Sequence, residues 1–223
     1  MLNRAAIVVP AHDEELLLPA CLDALATALS EVDLPVSITV VADACSDRTA
    51  AIARAHGVRV LEIAARNVGI ARATGFTAAL ADGADGLWLA TTDADSQVPR
   101  RWLADQLTAA ADGVDVVAGT VTVDSWAARP PWLPAVYTAL YATDARHVHG
   151  ANLAFTATAY QSVAGFAPLA CGEDNHLVDL MRHAHLRVWH TDHDPVVTSA
   201  RPSTRCTGGF ATHLAELTET GVG

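Results

Sequence analysis

The chain has 223 residues, of which 51% are hydrophobic and 17% charged, and its mean hydropathy is +0.24. This composition predicts one folded domain with a buried core and excludes a disordered chain. The formal net charge of -11 would repel a polynucleotide, so we expect no nucleic-acid partner, although a bound divalent cation would let the protein hold a small diphosphate ligand.

Short apolar runs alternate with helical patterns through the first half of the chain. This alternation is typical of βαβ units. Each run is uniformly apolar, so we expect an α/β fold with strands buried on both faces of a mostly parallel central sheet that is flanked by helices. The predicted strands are residues 5–9, 37–41, 58–63 and 86–91, and the predicted helices are residues 14–30, 47–56, 68–81 and 99–111.

The second half is less regular. A strand is predicted at 114–123. The Pro-, Trp- and Tyr-rich segment 126–141 is interpreted as an ordinary packed helix with its preceding loop. The alternatives for this segment are a flap over an acceptor, a dimer contact and a membrane contact. Further predicted elements are a strand at 151–155, a helix at 173–184, strands at 187–190 and 196–198, and a last helix beyond Gly208-Gly209. We expect one domain over residues 1–223, with a first half of about residues 1–96 and a second half of about residues 97–223.

No apolar run approaches the roughly 20 residues of a membrane helix, and the first one is too short for a signal peptide. We therefore expect a cytoplasmic protein without a transmembrane segment. The four cysteines are widely spaced with no CxxC pair, which favours reduced thiols. Oligomeric state is left open, a homo-oligomer included.

Acidic residues stand where predicted strands end, which is where open α/β sheets bind ligands. Asp13 and Glu14 follow the first strand, Asp43 ends the second, and Asp93 and Asp95 follow the fourth. Two carboxylates at i and i+2 can converge on one hard cation such as Mg²⁺ or Mn²⁺.

Two alternatives apply to these acids. Asp13, Ser46 and Asp47 could instead cap the helices that follow them, which would not explain Asp43 or the later pair. The D-x-D pattern also occurs at 192–194, but after a short strand bearing His190, whereas Asp93 and Asp95 follow the long apolar run GLWLATT.

Several segments occur in a set order along the chain: IVVPAHDEE, VVADACSDRTAAIA, ARNVGIARATGF, LATTDADSQVP, and HGANLAFTATAYQSVAGF followed by GEDNHLVDLMRHAHLRV. In this order they resemble the motifs of family 2 glycosyltransferases of the GT-A fold, over about residues 5–201. The family usually has Asn where this chain has Asp13. The resemblance implies a GT-A-like, Rossmann-type nucleotide-binding fold with a donor-nucleotide half (about 1–96) and an acceptor half (about 97–223). It also implies an inverting enzyme that uses a nucleotide sugar and a divalent cation, Mn²⁺ or Mg²⁺.

The resemblance also implies roles for individual residues. Asp95 would be the principal metal ligand with Asp93 beside it or on the ribose, and Asp174 of the Glu173-Asp174 pair would be the catalytic base. The implied substrate-binding positions are Pro10, Ala11, Asp13, Glu14, Asp43, Arg66, Asn67, Arg72, Asp93, Ala94, Asn152 and Arg201.

Structural alternatives stand beside these roles. Glu173 and Asp174 could serve only the start of a helix, and Asn152 could be an ordinary turn residue. Arg66 and Arg72 could be solvated surface charges. The late histidine that many GT-A enzymes give to the metal is absent from VVTSARP, so the third metal ligand is left open. His190 and His193 are candidates for that ligand. Ser199 and Arg201 are candidates for contacts with the diphosphate.

The function expected from these residues is transfer of a sugar from a nucleoside diphosphate sugar to an acceptor hydroxyl that the sequence does not identify, with inversion. A sugar-phosphate nucleotidyltransferase is the second enzyme hypothesis, although its glycine-rich, basic N-terminal loop is replaced here by PAHDEE. A non-catalytic nucleotide-sugar-binding protein of the same fold is the third.

Overall fold

The computed structural model describes residues 2–127, 129–141, 147–201 and 217–218. Its strands are β1 (Arg4–Ala11), β2 (Val36–Asp43), β3 (Arg59–Ile63), β4 (Leu87–Thr91), β5 (Ser96–Gln97), β6 (Val116–Val123), β7 (Leu153–Thr156) and β8 (Val188–Thr198). Its α-helices are α1 (Leu18–Leu29), α2 (Thr49–Ala55), α3 (Val68–Ala79), α4 (Trp102–Ala111), α5 (Leu133–Tyr141), α6 (Ala157–Ser162) and α7 (Glu173–His183), with 3₁₀ turns at Leu80–Asp82 and Gly150–Asn152. The predicted last helix begins outside the described residues.

The strands form one sheet in the order β3-β2-β1-β4-β7-β6-β8-β5. The pairs β3-β2, β2-β1, β1-β4 and β6-β8 are parallel, whereas β7 runs antiparallel to both of its neighbours and β5 runs antiparallel to β8. The mostly parallel sheet predicted from the sequence is confirmed.

Helices cover both faces of the sheet. Successive side chains of a strand point to opposite faces, so neighbouring residues of β1 pack against different helices. Ile7 of β1 packs with Leu25 of α1 in a cluster that also includes α4. Val8, the next residue, packs on the other face with Phe76 of α3 and Leu177 of α7. Each face therefore has its own apolar core, and the α/β layering is confirmed.

The expectation that every early strand is buried on both faces is wrong for β3. Arg59 and Glu62 of this strand are exposed, because β3 lies at the edge of the sheet and pairs only with β2. Helix α1 also begins later than predicted, at Leu18, with Pro19 in its first turn, where a missing N–H is tolerated.

The C-terminal strand was predicted as two short pieces and is one continuous strand. β8 pairs with β6 along its length, but Gly119 pairs with Thr191 whereas Val121 pairs with Val196. Residues 192–195 therefore bulge out of the ladder, which explains why their sequence is not strand-like.

The Pro-, Trp- and Tyr-rich segment contains helix α5. Leu133 and Tyr137 are buried and pack with Ala200, and Trp126 packs against the same group. The prediction of an ordinary packed helix is confirmed. No helix among the described residues is both long and apolar enough to cross a membrane.

Candidate functional site

The parallel strands β1, β2 and β4 end at one edge of the sheet. Ala11 at the end of β1 pairs with Ala42, one residue before the end of β2, and Thr91 at the end of β4 pairs with Val8. The loops that follow bring the predicted acids to this edge, with Glu14 and Asp43 buried. Pro10, Ala11 and Ala94 lie at the same edge, and all three residues are buried.

Arg72 of α3 is the centre of a buried ion-pair network. Its side chain donates to Thr91 Oγ1 at 3.2 Å, to Asp93 Oδ1 at 2.5 Å and to Glu173 Oε1. The guanidinium also lies 5.7 Å from the centre of the Phe166 ring. Because Arg72 is only 2% exposed, the alternative that it is a solvated surface charge is wrong.

Arg201 forms a second network on the other side of the acids. Its two terminal nitrogens donate to the two carboxylate oxygens of Glu14 at 2.7 and 2.5 Å, and one of them lies 3.2 Å from Asp95 Oδ2. Arg201 lies within the segment VVTSARP, which lacks the late histidine. A fixed positive charge thus stands beside Asp95, where the sequence left the third metal ligand open.

The acids at this edge outnumber the two arginines. Burial raises the pKa of Asp95 to about 7, with the charge of Asp93 adding to the rise and Arg201 opposing it. Burial also raises the pKa of Asp93, against the opposing charge of Arg72. Carboxylates that are crowded in this way gain from a further positive charge, and their hard oxygen atoms fit Mg²⁺ or Mn²⁺.

Asp174 lies in the first turn of α7, directly after Glu173. Its Oδ2 accepts the Gly150 N–H at 2.8 Å and its Oδ1 accepts the Asn175 N–H at 2.7 Å. A side chain at Gly150 would collide with the Arg72 guanidinium, so the turn that orients Asp174 also packs on the ion-pair network. The structure therefore brings together Asp174 and the acids of the D-x-D segment, while Glu173 is committed to Arg72.

Asp43 organises the loop after β3. Its Oδ1 accepts the N–H groups of Ala65 at 2.7 Å and Arg66 at 2.8 Å, and its Oδ2 accepts that of Asn67 at 2.7 Å. The Asn67 side chain in turn accepts the Ile70 N–H and caps α3. Asp43 thus fixes the backbone beneath the exposed Arg66, which has a φ of 49°.

Asp13 joins the loop after β1 to the loop after β2. It has a φ of 51°, and its Oδ1 accepts the N–H groups of Ser46 at 2.6 Å and Asp47 at 3.3 Å. The Ser46 N–H is the main cause of a lowered pKa of Asp13. Asp13 does not cap α1, which starts five residues later, so the capping alternative is wrong for Asp13. Asp47 Oδ1 does accept the N–H of Thr49, the first residue of α2, at 2.9 Å.

Asn152 is buried in the turn before β7 with both ends of its amide bonded. Its Oδ1 accepts from Trp102 Nε1 and its Nδ2 donates to the Thr120 carbonyl, each at 2.9 Å. These bonds tie the Gly150–Asn152 turn to α4 and β6. A contact between Asn152 and substrate stays a prediction.

A family model described as Glycosyl transferase family 2 matches residues 6–163, well over half of the chain. The chain belongs to glycosyltransferase family 2. The matched range contains most of β1, the whole of β2 to β7 and the acids of the D-x-D segment, and the resemblance noted from the motifs is confirmed.

Solved structures of this GT-A fold are similar to the family 2 chain over most of its length. A mannosyltransferase from Pyrobaculum calidifontis, in complex with GDP-Man and Mn²⁺, matches with a TM-score of 0.70 and 21% identity over 90% of this chain and 58% of its own. TarS 1-349 from S. aureus matches with a TM-score of 0.66 and 14% identity over 89% of this chain and 61% of its own. Glucosyl-3-phosphoglycerate synthase from Mycobacterium tuberculosis, in a complex with Mn²⁺ and UDP, matches with a TM-score of 0.61 and 19% identity over 90% and 73%.

These identities are low, so the likeness establishes the GT-A fold alone. The chain spans less than two thirds of the TarS and mannosyltransferase chains. No curated protein sequence matches it.

The family 2 chain directs its two candidate histidines elsewhere. His190 Nε2 lies 2.9 Å from a terminal nitrogen of Arg182, and His193 lies beside Asp194 on the bulge of β8. Arg201, rather than either histidine, contacts Asp95. The sequence separation of 187 residues between Glu14 and Arg201 explains why this pairing was not found from the motifs.

Proposed function

We propose that the protein transfers a sugar from a nucleoside diphosphate sugar to an acceptor hydroxyl, with inversion at the anomeric carbon and with a divalent cation bound at Asp95 and Asp93. The observation that carries this proposal is the arrangement of Asp174, fixed by the Gly150 N–H, beside a crowded group of acids at the carboxyl edge of the sheet. Membership of family 2 sets the reaction class.

Two observations support the cation. Burial raises the pKa values of Asp93 and Asp95, with neighbouring carboxylates adding to the rise, so their ionised forms would be stabilised by a further positive charge. The similar mannosyltransferase and synthase were solved with Mn²⁺ and a nucleotide ligand. When bound, a divalent cation supplies electrostatic stabilisation of the diphosphate as it leaves.

The donor nucleotide would lie along the loops that Asp13 and Asp43 organise. These loops hold their backbone N–H groups in place through the hydrogen bonds to the two carboxylates, so the surface is formed before the donor binds. Arg66 is exposed on the same loop and is available to a phosphate or the base. Arg201 would add a second positive charge near the diphosphate.

Asp174 would accept the proton of the acceptor hydroxyl as the new bond to the sugar forms. A hydroxyl is a weak nucleophile near neutral pH, and a positioned carboxylate lowers the barrier to its attack. The hydrogen bonds from Gly150 and Asn175 hold this carboxylate in one orientation. Attack from the face opposite the diphosphate would invert the anomeric carbon in one displacement.

Replacing Asp174 with Asn tests the proposed base. We expect the turnover rate to fall about 10²- to 10⁴-fold, because the amide cannot accept the proton, while donor affinity stays within about twofold. Release of nucleoside diphosphate from UDP-GlcNAc, GDP-Man and related donors, with mixed sugar acceptors, measures turnover, and calorimetry measures binding.

Asp179→Asn is the matched control. Asp179 lies on the same helix and loses the same charge, but it is exposed and pairs with Arg182. Full turnover by the Asp174 variant would contradict the assigned role. Pyrophosphate release from a nucleoside triphosphate and a sugar phosphate would support a nucleotidyltransferase instead, and donor binding without transfer or donor hydrolysis in the unmodified protein would support a binding protein.

A further inference from the structure

The bulge in β8 brings three potential metal ligands together, none of which is an acid of the carboxyl edge. His193 and Asp194 stand on the bulge and Asp105 stands on α4, and one ligand atom from each lies within 4.8 Å of the other two. Bulges of this kind re-aim side chains that a regular strand would send to alternate faces. This group shares no residue with the site assigned to the sugar donor.

The carboxylate of Asp105 is already oriented. Arg101 donates to its Oδ1 from Nε at 3.1 Å and from a terminal nitrogen at 2.9 Å, one turn earlier on the same helix. Such outer contacts fix the direction of a ligand carboxylate at metal sites. His193 and Asp194 remain exposed, so an ion can reach the group from solvent.

A buried amide without a hydrogen-bond partner is the second, independent observation. Gln106 is 3% exposed; its Oε1 accepts from Trp88 Nε1 at 3.1 Å, but its Nε2 has no partner within the described residues. Gln106 lines a cavity of about 30 Å³ together with Asp105, His193 and Asp194. An unpaired buried N–H group is unfavourable, and the cavity beside Gln106 has room for one water molecule.

We propose that Asp105, His193 and Asp194 form a second divalent-cation site, which selects a transition metal such as Zn²⁺ and leaves one coordination position for a water molecule that accepts a hydrogen bond from Gln106 Nε2. One imidazole and two carboxylates are a donor set that suits Zn²⁺, whereas Asp93 and Asp95 offer only oxygen ligands. Three protein ligands and one water complete a tetrahedral sphere. The site does not depend on the proposed sugar transfer.

Calorimetry with Zn²⁺ on the full chain tests this site, with Asp95→Asn as the background to remove the expected donor-site cation. We expect one Zn²⁺ to bind, and His193→Ala or Asp194→Asn to weaken its affinity at least about 100-fold, because each removes a direct ligand. The Co²⁺-loaded protein should give a visible absorption spectrum of a low-coordinate site, and that spectrum should disappear in the same two variants.

Two control variants keep the test specific. Asp192→Asn removes the same charge from the same bulge but lies outside the group, and His183→Ala removes an exposed histidine of α7. Both should bind Zn²⁺ within about twofold of the background protein. The proposal is overturned if the background protein binds no Zn²⁺, if His193→Ala and Asp194→Asn bind it unchanged, or if the controls lose affinity to the same extent.

Discussion

At the scale of single residues, Arg72 supplies the buried positive charge that pairs with two carboxylates of the site. Asp93 and Glu173 share its guanidinium, and Glu173 is itself almost fully buried. A buried ion pair adds little net stability compared with an apolar replacement of all its members, but removal of one partner leaves the others uncompensated. Arg72 is therefore needed to compensate the negative charges of Asp93 and Glu173.

Arg72→Met should lower the free energy of unfolding by about 3–5 kcal/mol, because both carboxylates lose their buried cation. Urea unfolding measures this loss. Arg54→Met is the control, since Arg54 pairs with Glu62 at the surface and its removal should change stability by at most about 1 kcal/mol. Equal losses in the two variants would contradict the role of burial.

The acids of the site could be predicted from the sequence, whereas their partners could not. Asp43, Asp93 and Asp95 stand at the ends of apolar runs, and the carboxyl ends of parallel strands share one edge. The pairing of Arg201 with Glu14 joins the two ends of the described fold, and no local pattern encodes such a contact. The role of Arg72 was equally hidden, because burial depends on packing of α3.

At the scale of elements, a carboxylate at the end of one strand fixes the loop after the next. Asp43 at the end of β2 accepts three backbone N–H groups from the loop between β3 and α3. Hydrogen bonds to a carboxylate are stronger than those between neutral groups. This loop holds Arg66 in a left-handed conformation at the edge where the donor is expected.

Asp43→Asn should lower the free energy of unfolding by about 2 kcal/mol, because an amide group would oppose at least one of the three N–H donors. Donor affinity should fall with it, since the loop loses its fixed position. Asp115→Asn is the matched control, as Asp115 Oδ2 accepts the Arg187 N–H near the surface, and about 1 kcal/mol is expected there. Urea unfolding and donor calorimetry check both effects, and unchanged donor affinity with lost stability would show that the loop does not contact the donor.

The elements themselves could largely be predicted, because their apolar periodicity reflects the two cores. Two of the exceptions have clear physical causes. β3 is an edge strand, so its exposed Arg59 and Glu62 do not disturb the sheet. The bulge of β8 places four polar or Pro residues inside a paired strand, and periodicity cannot distinguish such a bulge from a loop between two strands.

At the scale of the whole molecule, a group of acidic side chains lies where the donor is expected to bind. Burial raises the pKa of Asp95, the charges of Asp93 and Glu14 add to the rise, and Arg201 only partly compensates. The anionic diphosphate would therefore meet a negative edge unless a cation lies between them. Proton binding, metal binding and stability should be linked through this group of acids.

The unfolded chain gives Asp95 an ordinary pKa of 3.8, and the folded chain raises that pKa to about 7. Between these values the folded state binds more protons than the unfolded state, so this group's contribution to the free energy of unfolding falls as pH rises towards 7. Without metal, Asp95→Asn, which is neutral at every pH, should gain stability over the unmodified protein by a few degrees in Tm between pH 5 and pH 8. Thermal unfolding at both pH values measures the difference.

Added Mn²⁺ should reverse that order at pH 8, because the cation binds the ionised carboxylate and competes with the proton. The Tm of the unmodified protein should then rise by more at pH 8 than at pH 5, and Asp95→Asn should lose most of this rise. Any rise that remains in the variant should depend on His193 if the second cation site exists. The Tm difference between the two proteins could instead be the same at both pH values, with and without Mn²⁺. That result would show that Asp95 takes part in neither proton binding nor metal binding, and the grouping of acids at the sheet edge would then need another explanation.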